Sequence, residues 1–398
     1  MPFTNCASCL CLVLGVQVSA DADVWVQVSG ADGESCGADP ATPCATLAFA
    51  VERASPGGTV HVLYSPTPFG CSALGVSVSS SITIAGSSSP NKPVIDCAGG
   101  GRAFNFTSAP TSTPEWTLHS LVIQGGFAPV GGGVAALGGK LNISNVDFAD
   151  CVAWRDGAVM REAGAGLYAE NVNSLVVSDS NFLRCAGRFD EARGGAVAVL
   201  LGTSKVSAWN WACTQPPSLL TRGSCSHFSP CVHAPLSLQS PGITRDALVA
   251  FDSSNFTDNF ASVCGGAITT QAYDDVADMT VRVSNCNFHN NSVGLPDKDD
   301  IVPNGGAVYF VTESAARTNV TIKGSVFRNN RCSSSAALAA TGVKSGGGGV
   351  HVQFLEPKES TITLSGCHLE GNEANEGGGG ALLVLCDQLV TDSTDSSS

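Results

Sequence analysis

The amino-acid sequence predicts an all-β fold, a single-stranded right-handed parallel β-helix (solenoid) with a short N-terminal capping helix. Three observations carry the prediction. First, six residues, Phe148, Phe182, Phe256, Phe288, Phe327 and Leu369, anchor copies of one short repeat. Second, Ile143, Val177, Phe251, Val283, Ile322 and Leu364 stand five positions before those anchors. Leu141, Leu175, Val249, Val281, Val320 and Ile362 stand seven before. Two apolar columns two positions apart are the period-two signature of a strand with one buried face. Third, each copy opens on a glycine-rich start such as Gly194-Gly195-Ala196-Val197, Gly265-Gly266-Ala267-Ile268 or Gly305-Gly306-Ala307-Val308. A repeat this short cannot bury its apolar face alone, so copies must stack.

The elements follow in chain order. Residues 1–20 read as an export signal: Cys9 to Val18 is a short apolar run, and Val18-Ser19-Ala20 fits the small-residue cleavage rule. Residues 21–130 read as an N-terminal cap and the first coils, and 131–386 as the repeat β-helix. Each coil is expected to comprise a Gly-Gly-Ala-Val/Ile strand, a Val-x-Val strand and a Phe-x-x-Asn corner. At that corner stand Cys151, Cys185, Asn259, Asn291, Asn330 and Asn372, whose side chains can satisfy turn backbone. An insertion at about 203–247 interrupts the repeat with Trp209, Trp211, Cys213, Cys225, Cys231, His227 and His233. It must project from the stack, and loops on a rigid scaffold commonly carry function. Residues 387–398 are a polar tail, and the last coil reads as uncapped.

The pairing of Gly-Gly-Ala-Ile/Val with Phe-x-x-Asn over residues 131 to 384 resembles the repeat of chlamydial polymorphic outer membrane proteins and related adhesin-like β-helices. The upstream part resembles the pectin-lyase-like superfamily. There, Cys44-Ala45-Thr46-Leu47 to Ala54, followed by Pro56-Gly57-Gly58-Thr59-Val60, reads as a capping helix leading into a first strand. Ile82 to Gly86, Val94 to Asp96 and Leu118 to Gly126 read as early coils. A cap is required physically, because an open end exposes unpaired strand edges. The resemblance implies a surface or adhesin-like role. The bacterial members continue into a transporter barrel, and the polar tail here has no such pattern.

Of the 17 cysteines, removal of the signal takes Cys6, Cys9 and Cys11 and leaves an even number. In an exported chain this points to disulfides. Cys151 and Cys185 occupy one corner column in adjacent coils, at about 5 Å, and are expected to bond. Cys36–Cys44 and Cys71–Cys97 read as local pairs, whereas Cys286 and Cys367 share a column two coils apart. Sequons begin at Asn105, Asn142, Asn255, Asn290 and Asn319 and mark glycosylation in a eukaryotic host.

The net charge of −14 argues against nucleic acid and anionic membrane surfaces. No apolar run is long enough for a transmembrane helix. Neither the anchored columns nor Asp274-Asp275, Asp297, Asp299 and Asp300 assemble the paired carboxylates of a glycosidase or the acid-and-base groove of a lyase. The cysteine and histidine spacing of the insertion matches no zinc finger or ribbon. The expected protein therefore has no catalytic, metal or cofactor site. It is secreted or held at a cell surface or envelope (the outer membrane in a bacterium), and presents loops to cells, matrix or glycans in an adhesin-like or coat role. Trp209 and Trp211 serve either as a ligand platform or as packing for the insertion. The alternative function is a carbohydrate-active enzyme, a polysaccharide lyase or glycoside hydrolase.

Overall fold

In the computed structural model the described residues are 23–54, 56–87, 91–109, 111–154, 164–188, 192–202, 245–273, 276–294, 303–313, 317–333, 346–355, 359–375 and 379–387. The export signal, most of the insertion and nearly all of the tail lie outside them. The described residues are 54% strand and 3% helical. Its strands form four all-parallel sheets of ten, nine, seven and nine members, and the topology is that of a parallel β-helix. One coil visits them in turn: sheet A through Glu115–His119, B through Val122–Gln124, C through Phe127–Ala128 and D through Val134–Leu137. Helix α1 (Leu47–Ala54) packs its Leu47, Ala50, Val51 and Ala54 face into the first strands.

The three sequence columns become sheet registers. Leu141, Leu175, Val249, Val281, Val320 and Ile362 are successive Cα partners in sheet A. The anchors pair in sheet B, from Phe148 to Leu369. The residues after the glycine pairs do so in sheet D, from Val134 through Leu167, Val197, Ile268, Val308 and Val350 to Leu382. Phe148, Phe182, Phe256, Phe288 and Phe327 form one near-parallel stack inside, with centroids 4.6–4.9 Å apart. That spacing is the inter-strand distance itself.

The structure adds two things to the expected coil. Each anchor sits in its own three-residue strand, and a two-residue strand follows in sheet C. Runs that short carry no readable alternation. The anchor strand is also bounded by left-handed residues at both ends: Asn145, Asp179, Ser253 and Asn285 before it, Asp150, Arg184, Asp258, Asn290 and Asn329 after it. Asn and Asp tolerate this conformation best among non-glycine residues, and Gly324, Gly366, Gly125 and Gly371 take the same places elsewhere.

The corner asparagines form a buried ladder. Asn259 donates from its backbone N–H and from Nδ2 to Oδ1 of Asn291, at 3.1 and 2.9 Å. Asn291 does the same to Asn330, and Asn330 to Asn372. The second Nδ2 hydrogen of each goes to an anchor carbonyl, as in Asn291 to Phe256 O at 3.0 Å. Sulfur takes this last role at the head of the column, where Cys185 Sγ lies 3.9 Å from Phe148 O. Here one expectation is corrected. Cys151 and Cys185 are free, fully buried thiols, not a bridge. Their side chains each follow the inward direction of the ladder and lean on carbonyls, Cys151 on Ala149 O and Cys185 on Leu183 O. Cys36–Cys44 and Cys71–Cys97 are bonded, with Cα–Cα distances of 4.8 and 4.6 Å. Cys286 and Cys367 are free, as their separation requires.

Candidate functional site: the outer face of sheet D

From the coil beginning at Glu115 onward, half of each turn has constant length. Two residues always join sheet A to B (145–146, 179–180, 253–254, 285–286, 324–325) and two always join B to C (150–151, 184–185, 258–259, 290–291, 329–330). All length variation falls on the two edges of sheet D. The C-to-D connections include 129–133, 188–196, 294–307 and 333–349, and the D-to-A connections run from 138–139 to 202–244. The fixed half is held by the left-handed corners and the asparagine ladder, which leave no room for an added residue. Insertions can collect only where neither device operates.

The strands between those edges turn alternate side chains outward, and this outer face is not an ordinary solvated one. Ala135, Tyr168, Ala198, Thr269, Tyr309 and His351 are register partners on it, and Leu200, Gln271, Val311 and Gln353 lie one step along. Tyr168, Ala198, Leu200 and Gln271 are all buried, as are Tyr309, Val311 and His351. Hydrogen bonds cross it: Tyr168 Oη donates to Glu170 at 2.9 Å, Arg193 Nη1 to Gln271 Oε1 at 2.8 Å, and Tyr309 Oη to Gln353 Oε1 at 3.1 Å. Sheet D is thus apolar or aromatic on both sides, with the β-helix core inside and a polar-aromatic layer outside. Sequence reasoning missed this layer. Its signal was present in the residues fourth and sixth after the first glycine of each start, which are seldom charged.

His351 is the most perturbed group on this face. It is 1% exposed and its ring meets Tyr309 edge-on at 5.1 Å. Burial lowers its pKa to about 4, with the backbone of Gly346 opposing the shift. The folded value lies below the unfolded one of roughly 6.5, so its stabilising effect is full above that pH and is lost as pH falls towards 4. The span amounts to about 3 kcal/mol. His351→Phe is expected to flatten the decline in urea midpoint between pH 7 and 4.5; parallel declines in both proteins would remove His351 as its source.

The remaining site expectations are placed as follows. Trp209 and Trp211, with the insertion's cysteines and histidines, lie outside the described residues, as do Asp274, Asp275, Asp297, Asp299 and Asp300. The insertion leaves after the sheet D strand Val197–Leu201 and returns in the sheet A strand Arg245–Asp252, so residues 245–247 belong to the scaffold. Among the sequons, Asn255, Asn290 and Asn319 are exposed, while Asn105 and Asn142 are half-buried on strands. Asp32, Cys36 and Cys44 cluster as metal-type donors, yet the two sulfurs are bonded to each other and offer no thiolate. The carboxylates with shifted pKa are all lowered. A hydrogen bond from Arg184 holds Asp150 down, Arg317 does so for Asp278, and His368 with Arg328 for Glu370. No helix among the described residues is long and apolar enough to cross a membrane. No family model, no curated protein and no solved structure matches this chain.

Proposed function

We propose that the chain is an extracellular or cell-surface binding protein of the adhesin-like or coat type, whose recognition surface is the set of loops along the two edges of sheet D. The observation that carries this reading is the confinement of every insertion, including 202–244, to those edges while the other half of each coil keeps constant length. A scaffold that varies only there is built to present that one face. Two disulfides fit an exported chain. A right-handed winding is the expected hand for parallel strands joined by crossovers. In this reading α1 caps the N-terminal edge, a role supported by its packing on the first strands. The likeness to polymorphic outer membrane protein repeats supports the same function by analogy. An enzyme reading draws no support from the perturbed carboxylates, since a general acid needs a raised pKa and these are lowered.

The test replaces 203–244 with a link of the length that joins the neighbouring coils, such as the three residues Asn171-Val172-Asn173. Because those coils close with so short a link, the shortened chain is expected to fold with an unchanged far-ultraviolet spectrum. Its binding to cells, matrix proteins or a glycan array is expected to fall by roughly tenfold or more. Undiminished binding would move the recognition surface elsewhere, and cleavage of a polysaccharide by the intact chain would replace this function with an enzymatic one.

A further inference from the structure

We infer that the outer face of sheet C, beside its corner with sheet B, is a binding strip for a neutral oligosaccharide. This strip adjoins the C-to-D edge, where Trp154 and Arg188 open their connections, and does not include the 202–244 insertion on the D-to-A edge. Four successive coils place Phe127, Val152, Ala186 and Phe260 at one outward register position. Three inter-strand steps make the strip about 14 Å long, the length of about two or three pyranose rings. Further along the same column come Ser292, Arg331 and Glu373, so the apolar run has a definite end. Trp154, just past the strand Val152–Ala153, stacks on Phe127 with centroids 5.9 Å apart and planes inclined by 29°. Phe127 and Trp154 are each 40% exposed. The other exposed large apolar side chains among the described residues are Tyr64 and Leu74 near the N-terminus and Leu382 and Val384 on the last strand.

The border supplies the polar half of the chemistry. The left-handed corner column runs alongside as Asp150, Arg184 and Asp258, and the exposed Arg188 follows the sheet C strand Ala186–Gly187 on the other flank. Arg184 grips Asp150 through Nε and Nη2 at 2.6 and 2.7 Å, which fixes two planar groups in one orientation. Aromatic rings take the C–H face of a sugar, and planar carboxylates and guanidiniums take pairs of adjacent hydroxyls. Two carboxylates and two guanidiniums balance, which favours a neutral glycan over a uronate. Four apolar side chains fall well short of the ~800 Å² per partner of a stable protein interface.

The experiment titrates the full chain with cellohexaose, mannohexaose and xylohexaose, read by calorimetry and tryptophan fluorescence. Binding of at least one probe is expected below about 5 mM. Trp154→Ala and Phe127→Ala are exposed changes expected to leave the thermal midpoint alone and to weaken binding roughly tenfold each. The variant with 203–244 replaced is expected to bind the probe as the full chain does, which separates this strip from that insertion. No binding by any of the three hexasaccharides would overturn the inference. So would binding indifferent to Trp154 and Phe127, or self-association in sedimentation that the Trp154 variant abolishes.

Discussion

Asn291→Leu is expected to destabilise the protein by about 3–6 kcal/mol, although leucine has the same branched skeleton as asparagine and prefers the interior. The Asn291 side chain takes part in four buried hydrogen bonds. It accepts from the backbone and Nδ2 of Asn259, and it donates to Asn330 Oδ1 and Phe256 O. Leucine leaves the Asn259 N–H, one Asn259 Nδ2 hydrogen and the Phe256 carbonyl without partners, each costing about 1–3 kcal/mol. The built-in control is Asn372→Leu. Asn372 carries the same contacts downward but lies half-buried on the last coil, where water can reach the released groups. Its cost should be less than half as large. Urea unfolding of the two variants checks this, and equal losses would show that the ladder's burial is not the source of its effect.

Gly305→Ala is expected to be as severe for a different reason. Gly305 has φ +66°, a region that alanine enters at a cost of about 1–2 kcal/mol. A Cβ built there would lie 2.3 Å from the carbonyl oxygen of Val308 and 3.1 Å from Cβ of Tyr309. Neither neighbour is a free side-chain end, so the strand start must shift against its register partners. The combined loss is expected to exceed about 3 kcal/mol and to appear as insoluble or partly unfolded protein at 37 °C. The second glycine of a start is constrained differently: a Cβ on Gly306 would lie 2.1 Å from the carbonyl oxygen of Gly348 and 2.7 Å from the backbone of Arg331, although Ala165 fills the same place in its own coil. Gly306→Ala should therefore also be destabilising, through coil-to-coil contact where Gly305→Ala acts through backbone conformation as well.

The stack of Phe148 to Phe327, the sheet A registers and the helix at Leu47–Ala54 were all legible in the sequence, because a repeated pattern reports its own period. Sheet C was not, since strands such as Val152–Ala153 are too short to alternate. The bridge between Cys151 and Cys185 was inferred from separation alone. The two thiols instead remain free, with Cys151 Sγ against Ala149 O and Cys185 Sγ against Leu183 O. The left-handed corners could have been read. Asn145, Asp179, Ser253 and Asn285 stand three before their anchors, and glycine replaces them at Gly324 and Gly366, a substitution that marks positive φ. The outer layer of sheet D was harder. Tyr168, Tyr309 and His351 form no contiguous motif, and their proximity arises only from stacking.

The constant two-residue joints also make the coil a unit of measure. Because each joint returns the chain to the same phase, a coil can be removed or duplicated between any two corners without shifting the apolar columns above or below. Such a protein changes length in steps of about 4.8 Å and carries its side loops along unchanged, like pages bound on one spine. Reach and recognition are thereby separable properties: the number of coils sets how far the surface extends, and the edges of sheet D set what it displays.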